Sequence, residues 1–155
     1  MSAVLITGSL AYDTVCTLDD RFDALILPEQ VKELNLTFRA SGMSRSFGGC
    51  AANIAWSLKL LGGSPLILSA AGRDAGEYLQ RLESAGIDTR LIRIFPQEWT
   101  AQVFITMDCQ GNQLATFMPG AMRRSGEIPV PAGAAALAHI SPGDPLEMAQ
   151  HAAEC

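Results

Sequence analysis

Two short, almost continuously apolar runs, Ala3-Val-Leu-Ile-Thr7 and Pro65-Leu-Ile-Leu-Ser-Ala-Ala71, each close on a glycine, Gly8 and Gly72. Strands of this composition are covered on both faces, the habit of parallel sheets flanked by helices. Between them lies Ser46-Phe-Gly-Gly-Cys-Ala-Ala-Asn53-Ile-Ala-Trp-Ser-Leu-Lys-Leu-Leu61-Gly-Gly63, where two glycines open into a helix that is apolar almost all round. Such a helix is expected to be buried, and its one early amide, Asn53, must then find partners. After the second run, Tyr78, Leu79, Leu82 and Ala85 recur at helical spacing and Gly86 closes the helix. Asp74, with Glu77 three residues on, reads as its cap. Strand, helix, strand, helix predicts an α/β fold built on a parallel sheet.

A second pattern runs beside the first. Leu34, Leu36, Phe38 and Ala40 alternate with Asn35, Thr37 and Arg39, and Thr14–Leu18 is suited to pair with them. Thr100–Met107 and Gln113–Met118, joined by the turn Asp108-Cys-Gln-Gly-Asn112, form a hairpin. Alternation predicts strands with one face in water, hence a separate, smaller sheet with strands at about 14–18, 31–40 and 100–118 inserted into the α/β core. Arg90–Phe95 and Ala134–Ile140 read as further buried strands of the main sheet. The last element starts at Asp144 as N-cap, with Pro145 first in the helix and Glu147 three residues after the cap. A parallel sheet normally has more strands than these, so residues 1–155 are expected to form part of one larger α/β domain.

Composition narrows the function classes. With 48% hydrophobic and 17% charged residues the chain is a packed globular protein. A net charge of -5 leaves no basic field for a nucleic-acid backbone, and Arg123-Arg124 is the only adjacent basic pair. No apolar run is long enough to span a bilayer, and no basic residue precedes the first one as in a signal peptide. Cys16, Cys50, Cys109 and Cys155 are far apart without a CxxC pair, as expected of free thiols in a reducing cytoplasm.

The glycine-led helix has two readings that the residues leave open. Gly48 and Gly49, the free N–H groups of a helix start and the Asn53 amide make a donor-rich pocket for a hydroxylated ligand. Equally, the glycines allow tight helix–strand packing and Asn53 bonds a neighbouring carbonyl. Asp13, in the loop after the first strand, lies where α/β sheets gather ligand groups, and a turn aspartate is the plainer account. A Walker-type phosphate loop is excluded, since Lys32 precedes Glu33 and Lys59 precedes Leu60. Neither a G-x-G-x-x-G after the first strand nor a G-x-S-x-G elbow is present, and His139 on an apolar run reads as a core residue.

Taken in order, Gly8 with Asp13, Phe47-Gly48-Gly49-Cys-Ala-Ala-Asn53, Gly62-Gly63, Ala71-Gly72-Arg-Asp74-Ala-Gly76 and Leu82-Glu-Ser-Ala-Gly86-Ile87 resemble the ribokinase-like (PfkB) family of sugar and nucleoside kinases. Thr100–Thr106 and Met118-Pro-Gly-Ala-Met122 are most similar to its adenosine-kinase-like branch. The resemblance implies a ribokinase-like parallel sheet flanked by helices with a small β-sheet lid, here truncated. It implies that Asp13, Gly48, Gly49 and Asn53 hold substrate hydroxyls and that Phe104 and Phe117 are lid contacts. It also implies ATP and Mg²⁺ as cofactors of the complete enzyme, which moves a phosphoryl group from ATP to a primary hydroxyl. The family's later D-T-x-G-A-G-D turn, which carries the catalytic base, has no match, because Gly143-Asp144 runs into Pro145. No catalytic residue and no metal ligand is therefore assigned, and neither ATP nor Mg²⁺ is expected on this chain alone. The expected function is the N-terminal, substrate-binding part of a cytoplasmic sugar or nucleoside kinase, inactive by itself. The alternative is a non-catalytic nucleoside- or sugar-binding or partner-association module. Expected partners are a small sugar or nucleoside and either a second copy or a complementary C-terminal half, with no nucleic acid and no membrane.

Overall fold

The computed structural model describes residues 3–26 and 35–155. In chain order its strands are β1 (Val4–Thr7), β2 (Ala11–Thr17), β3 (Gly42–Gly48), β4 (Pro65–Gly72), β5 (Asp88–Phe95), β6 (Ala101–Met107), β7 (Gln113–Met118) and β8 (Leu137–Ile140). The helices are α1 (Phe22–Leu25), α2 (Cys50–Leu60), α3 (Gly76–Ser84) and α4 (Pro145–Glu154), with a 3-10 segment at Gly120–Glu127. Among the described residues no helix is long and apolar enough to cross a membrane.

The apolar runs behave as their composition dictates. β1 and β4 are central in a parallel sheet of order β5-β4-β1-β8. One face of that sheet, with Ile6 and Ile67, packs on Ala51, Ala52 and Ala55 of α2 and on Tyr78 and Leu82 of α3. The opposite face, with Leu5, Leu66 and Leu68, packs on Ala121 and Ile128. Burying a leucine or isoleucine fully contributes about 1.5–3 kcal/mol, so these central strands carry much of the fold's stability.

Helix α2 is not buried all round. Its inward stripe is three alanines, which let the helix lie close on the sheet, while Asn53, Ser57 and Leu60 face solvent. The low contrast between the inward alanines and the exposed Leu60 hides the true face from the residue pattern alone. β8 likewise joins the main sheet, yet Leu137 and His139 are exposed, because it is an edge strand.

The second sheet has the order β3-β2-β6-β7, with β2 antiparallel to β3 and parallel to β6, and β6 antiparallel to β7. Of the strand expected at 31–40, residues 31–34 lie outside the described residues, and 35–40 carry no regular secondary structure. Phe38 stacks instead on Phe22 at 5.6 Å. The partner of β2 is Gly42-Met-Ser-Arg-Ser-Phe-Gly48, a segment poor in β-branched residues that pairs through its backbone and lays Phe47 and Arg45 over Tyr12. Tertiary pairing overrides weak strand propensity here.

Asp74 does not cap α3. The residue before that helix is Ala75, with no side-chain cap. The Asp74 carboxylate instead accepts the Thr100 N–H at 2.8 Å and the Gln102 amide at 3.3 Å, with Arg45 at 3.9 Å. Its backbone carbonyl accepts the Tyr12 hydroxyl at 3.0 Å. Residues 72–76 of the main domain are thereby tied to the base of the small sheet.

The β6–β7 turn is organised by Asp108, whose buried carboxylate accepts from the Asn112 side chain and from the N–H groups of Phe22, Gln110 and Asn112. Led by the Asn112 bond, these donors pull its pKa down to about 2. A carboxylate depressed by folding contributes stability that is present above its ordinary pKa and lost as pH falls through the folded value. Thermal denaturation followed from about pH 5 to pH 2 is therefore expected to fall more steeply for the wild type than for Asp108→Ala. Parallel curves would mean that the turn does not depend on this ionisation.

Candidate substrate site at the glycine turn

Asp13 is the third residue of β2, half-buried, with its carboxylate against the Cα of Gly48 on the neighbouring strand. A Cβ on Gly48 would come within 2.7 Å of the Asp13 carboxyl carbon. Gly48 therefore makes room for a carboxylate. Burial raises the Asp13 pKa, and among the described residues no group donates to that carboxylate. Asp23, Asp74, Asp88, Asp108 and Asp144 each have partners of their own. An acceptor left half-desolvated and unpaired costs free energy that a donor-bearing ligand would return.

Gly49 plays a different part. Its φ of 93° and the proximity of Ser9 O and the Leu10 Cα, at 2.5 and 2.8 Å from a Cβ placed there, make it a close backbone contact. The expected free donors of the helix start are not free. Cys50 N–H donates to Ser9 Oγ at 3.0 Å and Ala51 N–H to Ser9 O at 3.1 Å. Ser9 thus serves as the cap that α2 lacks at Gly49.

Asn53 follows one turn into α2, its N–H bonded to Gly49 O at 3.1 Å. Contrary to the expectation of a buried amide, its side chain is exposed and has no hydrogen-bond partner among the described residues. It borders a hollow of about 100 Å³ with Phe47, Trp56, Tyr78 and Arg81, whose lining does not include Asp13. The structure brings Asp13, Gly48 and Gly49 together and sets Asn53 one helical turn beyond them.

The two lid phenylalanines part company. Asp13 pairs with Ser46 and Val103, and Val103 with Phe117, so Phe117 shares Asp13's face of the small sheet. Phe104 pairs with Thr14, one residue along, and so points to the opposite face. There it lines a hollow of about 440 Å³ with Arg45, Asp74, Trp99, Gln102 and Met118. Phe104 is therefore not a roof over Asp13.

Tyr78, which helical spacing marks only as core, borders the candidate site. Its hydroxyl donates to Gly48 O, and its ring stacks on Phe47 at 4.9 Å and Tyr12 at 5.4 Å. Burial drives its pKa far upward, so it stays a neutral donor. The clue in the sequence was the phenol itself, since a buried tyrosine hydroxyl needs an acceptor.

No group of three His, Cys, Asp or Glu side chains converges among the described residues. Asp144 is engaged as the α4 cap, accepting from Leu146 N–H at 2.9 Å and Glu147 N–H at 3.3 Å.

The sequence pattern of pfkB family carbohydrate kinases matches residues 4–155. A nucleoside kinase of Methanothermobacter thermautotrophicus is 34% identical over 129 residues, which are 80% of this chain and 42% of that protein. Burkholderia thailandensis nucleoside kinase, solved in complex with inosine, superposes with a TM-score of 0.81 at 38% identity over 97% of this chain and 48% of its own. Methanocaldococcus jannaschii nucleoside kinase, an archaeal member of the ribokinase family, superposes with a TM-score of 0.86 at 25% identity over 100% of this chain and 49% of its own. The fold is ribokinase-like α/β, and the chain spans about half the length of the relatives it matches.

Proposed function

The chain belongs to the pfkB family of carbohydrate kinases, and we propose that it supplies the N-terminal, substrate-holding half of a nucleoside kinase. The reaction is transfer of the γ-phosphoryl of ATP to a primary hydroxyl of an adenosine-like nucleoside. Supporting a nucleoside over a bare sugar, the relatives at 34% and 38% identity are both nucleoside kinases, one of them solved with inosine. The observation that carries the reading is the Asp13 carboxylate, half-buried against Gly48 and without a donor among the described residues.

A ribose offers adjacent hydroxyls, each both donor and acceptor. Asp13 accepts from one, and the exposed Asn53 amide serves a second as the nucleoside settles over the glycine turn. Phe117 and Val103, on Asp13's face of the lid, cover the sugar and exclude water. Tyr78 holds the Gly48 carbonyl, and so the turn, in place. The catalytic base and the ATP and Mg²⁺ sites belong to the half of the family's length outside this chain. Its four cysteines are unpaired, which supports a reducing, cytoplasmic setting.

Titration calorimetry of inosine, adenosine and ribose against the chain and its Asp13→Asn variant tests this. Loss of a charge-assisted hydrogen bond is worth about 1.5–3 kcal/mol, so Asp13→Asn is expected to bind nucleoside roughly 10- to 100-fold more weakly. The variant should also melt higher, because the burial that raises the Asp13 pKa penalises its charge in the empty protein. Equal affinity in both proteins would remove Asp13 from the site. Turnover by the chain alone with ATP and Mg²⁺ would show that the base lies within it.

A further inference from the structure

Trp99 and Phe104 are large aromatic side chains left 45% and 46% exposed, and both line the hollow of about 440 Å³ behind the small sheet. Register places Arg45, Gln102, Phe104 and Met118 together on the face of that sheet opposite Asp13 and Phe117. Trp99 joins them from the chain just before β6, and Asp74 from the turn after β4. The hollow is therefore separate from the candidate substrate site, and the proposed phosphoryl transfer makes no use of it. Its volume lies within the range of about 300–1,000 Å³ usual for small-molecule sites. Its lining is of the same kind, aromatic and thioether surface with a few polar groups.

The polar groups are only partly committed. Asp74 is held by the Thr100 N–H at 2.8 Å and by Gln102 Nε2 at 3.3 Å. A carboxylate only accepts, so the Gln102 amide nitrogen faces Asp74 and its carbonyl oxygen is left over, with no donor among the described residues. The Arg45 guanidinium lies 3.8 Å over the Tyr12 ring, and among the described residues it has no acceptor nearer than Asp74 at 3.9 Å. An unused acceptor and an unused donor thus stand beside two exposed aromatic rings.

We infer that this hollow is a second binding site and that it takes a purine ring. The ring stacks on Trp99 and Phe104, an N–H on its edge donates to the Gln102 carbonyl, and the ring nitrogen or carbonyl oxygen beside that N–H accepts from Arg45. A purine carries such a donor and acceptor side by side on a flat aromatic frame, which an aliphatic or purely hydrocarbon ligand does not. Its two fused rings also give more stacking surface than the single ring of a pyrimidine. Such an occupant would touch both the small sheet and the 72–76 turn of the main domain, which Asp74 already ties together.

The test is quenching of Trp99 emission by adenine in a Trp56→Phe background, which leaves Trp99 as the only tryptophan. Saturable quenching is expected. Phe104→Ala should weaken adenine binding about fivefold or more, the loss that goes with one base–aromatic stack, and Gln102→Leu by a similar factor. Phe117→Ala, on the opposite face, should leave it unchanged. Circular dichroism checks the fold of each variant, and Arg45→Met reads the same polar edge should Gln102→Leu loosen the Asp74 tie. Adenine and adenosine monophosphate as parallel arms tell a free base from the base of a nucleotide, since only the second brings a phosphate. Absence of saturable quenching, undiminished affinity in Phe104→Ala, or loss in Phe117→Ala instead would each overturn the inference. So would a dimer that Phe104→Ala dissolves, which would give this face to a second copy of the chain. Inosine binding that depends on Asp13 is a separate readout, so either site can fail without the other.

Discussion

Gly48→Ala is expected to weaken inosine binding roughly 10- to 100-fold and to destabilise the protein by about 1–3 kcal/mol, although it adds one methyl group. The added carbon falls where the Asp13 carboxylate now sits, 2.7 Å from its Cγ, so either the carboxylate turns away or the strands part. Turning away loses the charge-assisted bond proposed between Asp13 and the sugar. Parting strains the β2–β3 pairing of Ala11 with Gly48 and of Asp13 with Ser46. A double-mutant cycle separates the two effects. In Gly48→Ala/Asp13→Ala the clash is relieved, so stability should return toward the wild type while binding stays lost. Denaturant unfolding and inosine titration on the four proteins read both quantities. Wild-type affinity in Gly48→Ala would mean that the carboxylate has another place to go and that the close contact is incidental.

The sequence made the main sheet legible because β1 and β4 are apolar without interruption, a pattern that only a doubly covered strand tolerates. The β6–β7 hairpin was legible from its alternation and from Asp108–Asn112. What misled was local pattern without tertiary context. Residues 35–40 alternate yet form no strand, while β3, with Gly42, Ser44, Ser46 and Gly48, forms one because β2 offers it a backbone. Asp74 and Glu77 have the spacing of a capping box, but a stronger claim on Asp74 comes from Thr100 N–H, which lies far away in sequence. At the site, Asp13 and the glycines could be named from the resemblance. Which glycine makes room for the Asp13 carboxylate could not, because that depends on Asp13 lying diagonally across from Gly48. Phe104 and Phe117 are separable only by strand register, and a register is set by pairing partners, not by either strand alone.

His151→Ala is expected to cost about 3–5 kcal/mol, the loss typical of truncating a large, fully buried side chain. His151 and Glu147 lie one turn apart on α4, both fully buried, with Nδ1 and Oε1 3.1 Å apart and no other partner for either atom. The ring's Nε2 is 2.9 Å from Ile128 O. A carbonyl only accepts, so Nε2 carries a hydrogen, and a bond between Nδ1 and Oε1 then requires one further proton shared by the pair. Glu147 Oε2 meanwhile accepts Asp144 N–H at 3.2 Å as half of the capping box. One carboxylate thus fixes both the start of α4 and its seat on the segment ending at Ile128. Removing the imidazole leaves that carboxylate buried and half-paired. Glu147→Gln should be far milder, within about 1 kcal/mol, because its amide can donate to Nδ1 and still accept from Asp144. Urea unfolding at neutral pH decides the matter, and a loss below about 1 kcal/mol in His151→Ala would show that water reaches the cleft.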